Sequence, residues 1–243
     1  GVAILVAAVA YYVLLQQAAA GVLLCLTWVP ALIVGWALRR SESQGLAMTI
    51  CALFAALYAA SVRALVPDVV AYWTLRLEAL GETVRAQGGT FFDPEEIALA
   101  AGVMHEATVV VMCLYWMVTI VLARWWQAEL YNPGGFGGEF RGLVLPRVVS
   151  PIAALVAVLA LLQLSAGGVH GLPSDLLVVL VVLFASQGLA VIHHRVHKLG
   201  LAKWWLLGFY VLLIVMPHRI GLMLAFIGIV DTLADLRRLR REN

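Results

Sequence analysis

The sequence predicts an all-α polytopic membrane protein: a bundle of about eight transmembrane helices plus an amphipathic outer helix. Three observations carry this. The 243 residues are 63% hydrophobic and only 12% charged, against about half and a quarter in soluble domains. The charges gather in clusters between long apolar runs, as in helical polytopic proteins. The last such run, residues 220–230, passes almost directly into Arg237, Arg238, Arg240 and Arg241, the mark of a span ending on the cytoplasmic side. A transmembrane barrel would instead show segments of ~10 residues with alternating polarity. A net charge of +2 is too small and too scattered to imply nucleic acid.

Apolar segments at residues 1–15, 18–38, 45–66, 97–122, 148–164, 176–192, 199–215 and 220–234 give the eight spans, all in one integral membrane domain covering 1–243. A span needs about 20 residues at 1.5 Å each to cross ~30 Å. The first segment is short and opens at Gly1, inside an apolar run, without the basic start or cleavage site of a signal peptide. The expectation is that the native start lies upstream and that part of a first helix is missing. Residues 204–230 could form one helix kinked at Pro217, but that would place His218 and Arg219 at mid-membrane, where an Arg costs about 2.5–3.5 kcal/mol. A turn at residues 216–219 avoids this, and Pro217 suits it because it ends a helix. The last two spans are therefore expected to form a hairpin.

With the tail cytoplasmic, the inner segments are 39–44, 124–147, 195–203 and the tail, and they hold twelve of the sixteen Lys and Arg. The outer segments carry Asp68, Glu78, Glu82, Asp93, Glu95, Glu96 and Asp175. The positive-inside bias is thus satisfied at every turn with the C-terminus in the cytoplasm. Trp125, Trp126, Trp204 and Trp205 fall at the inner interface, where indoles anchor well. Outside, Trp73, Leu77, Leu80 and Val84 recur at helical spacing, which predicts an amphipathic helix on the membrane or over the bundle. Asp93, Pro94 and Glu96 then resemble a helix start.

The candidate chemistry is sparse. His105 and Glu106 lie inside the outer edge of an apolar run, and ionisable residues there face protein or water. With Gln187, which can hydrogen-bond across helices, they are the ligand-binding candidates. His193 and His197 are one helical turn apart and are weak metal candidates, with no carboxylate or thiol to complete a set and a basic lipid-facing rim as the plainer reading. The loop Asn132, Pro133, Gly134, Gly135, Phe136, Gly137, Gly138 lacks the Lys and Ser or Thr of a nucleotide-binding loop. It reads as a partner-docking turn or as packing under the bundle. Asn132, Gly134, Gly135, Phe136 and Phe140 are the partner-binding candidates. Ala52, Ala56 and Ala60 form a small-residue stripe that permits close helix approach. Cys25, Cys51 and Cys113 lie in apolar runs with no disulfide or zinc spacing. No convergent catalytic set is visible, so the protein is not expected to be an enzyme.

Arg124–Trp125–Trp126–Gln127, the run Tyr131 to Gly137 with Glu139 and Phe140, the run Gln187 to His193, and Ile229–Val230–Asp231 before the basic end together resemble the YybS-like family of uncharacterised bacterial inner-membrane proteins, domain of unknown function 2232. The resemblance covers most of the chain and implies location and architecture rather than an activity. The family's helical layout is distantly similar to the substrate-binding S subunits of energy-coupling-factor transporters, a fold-level analogy. The sequence thus favours a small-solute binding or transport subunit. Its pocket would lie near the outer side, and the segment 124–147 would meet a membrane or cytoplasmic protein partner. The alternative is a structural or assembly subunit of a larger membrane complex. The cofactor is unknown, and the lipid bilayer is the partner common to both readings.

Overall fold

The computed structural model describes residues 18–202, 204–234 and 237, with side-chain surroundings from Leu26 onward. The expected first span lies outside the described residues, as do Lys203 and most of the basic tail. The helices are α1 (Ala18–Ser41), α2 (Gln44–Leu65), α3 (Val69–Ala86), α4 (Pro94–Tyr131), α5 (Gly135–Arg141), α6 (Val149–Ser165), α7 (Leu172–Lys198), α8 (Trp204–Val215) and α9 (Pro217–Ala234). Among the described residues, α2, α4, α7 and α9 are long and apolar enough to cross a membrane, while α6 and α8 are apolar but shorter, at 17 and 12 residues. The fold is therefore that of a helical membrane protein.

Local chemistry accounts for the helix boundaries. Ser43 caps α2 by accepting from the Leu46 N–H at 3.2 Å. Asp93 and Glu96 exchange hydrogen bonds of 2.9 and 3.0 Å as a capping box, with Pro94 opening α4, as the sequence implies. The 38 residues of α4 extend ~57 Å, so this helix projects beyond a hydrocarbon layer of ~30 Å. The amphipathic helix is α3, and it lies over the amino-terminal part of α4. Leu77 is buried with Ile97 and Ala101, and Trp73 packs beside them, while Leu80 stays 50% exposed.

The α2 face of the core is lined by small residues, while many large apolar side chains face outward. Ala47, Cys51, Ala55 and Ala59 of α2 meet Val109 and Cys113 of α4 and Leu183 and Phe184 of α7. Large side chains such as Leu155 and Leu161 of α6 or Ile214 and Val215 of α8 point outward. Small residues inside and large apolar ones outside suit helices packing in lipid. The alanine stripe is rotated from its expected line: Ala52, Ala55 and Ala59 are buried, while Ala56 and Ala60 are half-buried. It serves packing within the bundle.

The tightest pairing is between α7 and α9. A Cβ at Gly228 would run into the Phe184 carbonyl, and one at Gly188 into the Leu224 carbonyl, so these two backbones touch. Asp231 reaches Gln187, and Arg237 reaches the Arg141 carbonyl. Arg237, just past α9, also lies near His194 at the carboxyl end of α7, so α7 and α9 run in the same direction. The chain must return between them, and α8 is the return. The break falls on Met216, with Pro217 as the first residue of α9.

The ends of the bundle sort as the charge pattern requires. One end gathers Gln44, Arg124, Glu139, Arg141, His193 and Arg237. The other gathers Arg63, His105, Glu106, His170 and Asp175. Segments assigned to one side from sequence thus meet at one end.

Candidate binding site

Asp175, in the first turn of α7, organises the cluster at its end of the bundle. It is fully buried and accepts both arms of the Arg63 guanidinium, Nε at 2.7 Å and Nη2 at 3.0 Å. His105, 3% exposed, places Nε2 3.3 Å from the same carboxylate but is not aligned to hydrogen-bond with it. Glu106, on the next position of α4, points elsewhere, to His170 Nδ1 at 3.0 Å. Gly102 leaves space for that ring, since a Cβ there would lie 3.4 Å from His170 Nε2. His105 and Glu106, adjacent in sequence, therefore enter two different pairs. Both tie α4 to the α7 end of the bundle.

A second network lies at the opposite end of the bundle. Gln187 is fully buried. Its Oε1 accepts from the Leu145 N–H at 2.9 Å, and its Nε2 donates to Asp231 at 2.6 Å. Arg237 grips Asp231 through Nη2 at 2.6 Å and Nε at 3.2 Å, and donates to the Arg141 carbonyl at 2.9 Å. Beside it, Arg124 forks onto Glu139 at 2.6 and 2.8 Å, and Gln44 donates to the same carboxylate at 3.2 Å. These bonds staple the segment after α4 to the undersides of α2, α7 and α9. Gln187 serves protein partners on both sides of its amide.

A partly open cavity lies beside these networks. A cavity of about 930 Å³ runs between α4, α7, α8 and α9, with α5 beneath it. Its walls are largely aliphatic, including Met117, Val121, Leu177, Val181 and Leu189. Its polar groups include Arg141, His193 and Tyr210 at one end and His218 beside Pro217. His193 Nε2 and the Tyr210 hydroxyl are 2.8 Å apart.

The sequence candidates fall on different parts of this map. His105, Glu106 and Gln187 are outside the cavity lining. Phe136, Phe140 and His193 are on it, with the two phenyl rings stacked at 5.9 Å and Phe140 edge-on to His193 at 5.3 Å. The glycine-rich turn thus directs its aromatics into the bundle. Asn132 and Gly134 remain exposed, with Gly134 at φ +82° where a side chain would be strained. His197 is exposed and apart from the cavity, and no group of three potential metal ligands occurs among the described residues. Arg63 and Asp175 stand out less in the sequence than in the fold, where they form the buried ion pair. An Arg inside an apolar run and an acid in the first turn after Pro173 were the available signals.

A family model described as a predicted membrane protein, DUF2232, matches residues 95–232, which is α4 through most of α9. The chain belongs to the DUF2232 family. The match takes in both polar clusters apart from Arg63, Gln44 and Arg237, and it takes in the cavity wall apart from Met48. The DUF2232 part is therefore the part that holds the void. No curated protein and no solved structure matches this chain significantly.

Proposed function

We propose that this membrane protein is a binding subunit that receives a hydrocarbon-chain solute in the cavity beside α7. The observation that carries the reading is the void itself. Its volume of about 930 Å³ falls in the usual range for ligand pockets, ~300–1,000 Å³. A mostly aliphatic lining selects an apolar guest. The proposed role is binding, as a transport component similar to an S subunit, rather than catalysis. The reading shifts the site away from Glu106, whose carboxylate is occupied by His170, and towards the inner half of the bundle.

Photo-crosslinking in membranes tests it. A fatty acid carrying a diazirine in its chain is expected to label wall residues such as Ala185 and Leu189 saturably, and Ala185→Trp should remove that label. Labelling confined to the outward residues of α6, such as Leu155 and Leu161, and rising linearly with probe would overturn the reading. We further propose a bacterial inner-membrane location with the basic end in the cytosol. A cysteine added after Asn243 is then expected to react with an impermeant maleimide only in inside-out vesicles. Reaction in right-side-out cells would reverse the orientation.

A further inference from the structure

Three arginines reach into the bundle with their charge answered: Arg63 on Asp175, Arg124 on Glu139 and Arg237 on Asp231. Arg141 differs. It lines the cavity, yet no described residue hydrogen-bonds to its guanidinium or pairs with it. The ligation of Arg141 by Arg237 uses the backbone carbonyl and leaves the side chain uncommitted. Gly137, one turn earlier on α5, makes room for this side chain, since a Cβ there would lie 3.0 Å from Arg141 Nη1. The guanidinium thus lies across a glycine on the cavity floor, with His193 and Tyr210 also at that end. A guanidinium with no partner among the described residues, beside an apolar cavity, is complemented by an oxyanion carried on a hydrocarbon. Arginine suits a phosphate because its fork can donate two parallel bonds.

The length of the cavity narrows the guest further. Leu177 and His193 of α7 both line it, and sixteen residues of helix separate them by ~24 Å. That is most of a hydrocarbon layer of ~30 Å. A compact metabolite would leave much of this wall bare, whereas an extended chain would cover it. Arg195 and Lys198 follow His193 in the last turn of α7, and basic residues in such a position draw anionic headgroups.

We propose that the cavity holds one anionic lipid, with its phosphate on Arg141 and its hydrocarbon chain along α7 towards Leu177. This rests on the cavity being a binding site, and it adds the class of headgroup and the residue that reads it. The test is native mass spectrometry of the full chain released from nanodiscs with phosphatidylglycerol or phosphatidylcholine of identical acyl chains, for wild type, R141Q, R141K and A185W.

Wild type is expected to retain phosphatidylglycerol about tenfold better, because both lipids present a phosphate but the choline ammonium of phosphatidylcholine offsets its charge beside Arg141. R141Q should bring that ratio close to one while still retaining both lipids through their chains. R141K should keep part of the preference, as a point charge without the fork. A185W should lose both lipids. A full preference in R141Q overturns the headgroup assignment and leaves the cavity reading intact, provided A185W loses both lipids. Undiminished retention of both lipids by A185W overturns the cavity reading itself. Displacement of the lipid by millimolar inorganic phosphate would make Arg141 a free-anion site and overturn the lipid. If R141Q does not fold, the wild-type ratio decides, and a value near one overturns the proposal.

Discussion

Replacing Asp175 with Ala is expected to destabilise the protein by about 3–5 kcal/mol, the typical loss when one member of a buried ion pair is removed. The carboxylate is fully buried, and its two oxygens hold Nε and Nη2 of Arg63 at 2.7 and 3.0 Å. Without it, Arg63 retains a charge among apolar helices with no acceptor of matching geometry. His105, already without a hydrogen bond at Nε2, loses its nearest anion. The double replacement Arg63→Met with Asp175→Leu is expected to recover much of the loss, because removing both charges also removes their desolvation. Thermal midpoints of the purified variants in one detergent provide the check. A double variant as unstable as the sum of the two single ones would show that the pair is not coupled.

The second large effect is expected at Gly228. Its missing side chain is where α9 crosses α7: a Cβ would lie 2.9 Å from the Phe184 carbonyl carbon and 3.1 Å from the Gly188 N, and closer still to the Phe184 oxygen. These are backbone atoms and cannot turn aside, so Gly228→Ala must separate the helices. Overpacking of this kind costs about 1–3 kcal/mol, and Gly228→Leu should cost more. The separation would also strain the Gln187–Asp231 bond of 2.6 Å one turn away. Gly221 on the same helix is the internal control. Nothing lies within 4 Å of its added Cβ, so Gly221→Ala is expected to be neutral or to stabilise by up to ~1 kcal/mol through helix propensity. Equal midpoints for the Gly221 and Gly228 variants would contradict the close crossing.

Much of the architecture was legible because membrane helices write themselves in long apolar runs. The cap at Asp93 and Glu96, the amphipathic helix at residues 69–86 and the break at Pro217 each followed from a local rule. The grouping of basic segments at one end followed from charge alone. The pairings across helices were not legible. Which atom Glu106 meets depends on where His170 lands, 64 positions away, and no local pattern encodes that. The cavity was equally hidden, because a void is made by what four helices fail to fill. The ordinary residues Val181 and Leu189 carry no mark of lining it. Gly188 and Gly228 did carry a signal, a glycine within an apolar helix, which reports close backbone approach. Their partnership required the two helices to be placed side by side. Arg141 looked like one more inner-surface cation until its neighbours proved to be spoken for.

The shared direction of α7 and α9 has an electrostatic consequence. Each helix ends with its last carbonyls unbonded, equivalent to roughly half a negative charge, and here two such ends lie next to each other at the same end of the bundle. Parallel neighbours add these partial charges where an antiparallel pair would cancel them. Arg195, His197 and Lys198 in the last turn of α7, and Arg237 just beyond α9, stand where that combined field is strongest. Their basicity therefore answers the peptide groups of the chain itself as well as any membrane potential. Neutralising them is expected to loosen these two carboxyl-terminal turns even in uncharged detergent, where no lipid phosphate remains to be matched.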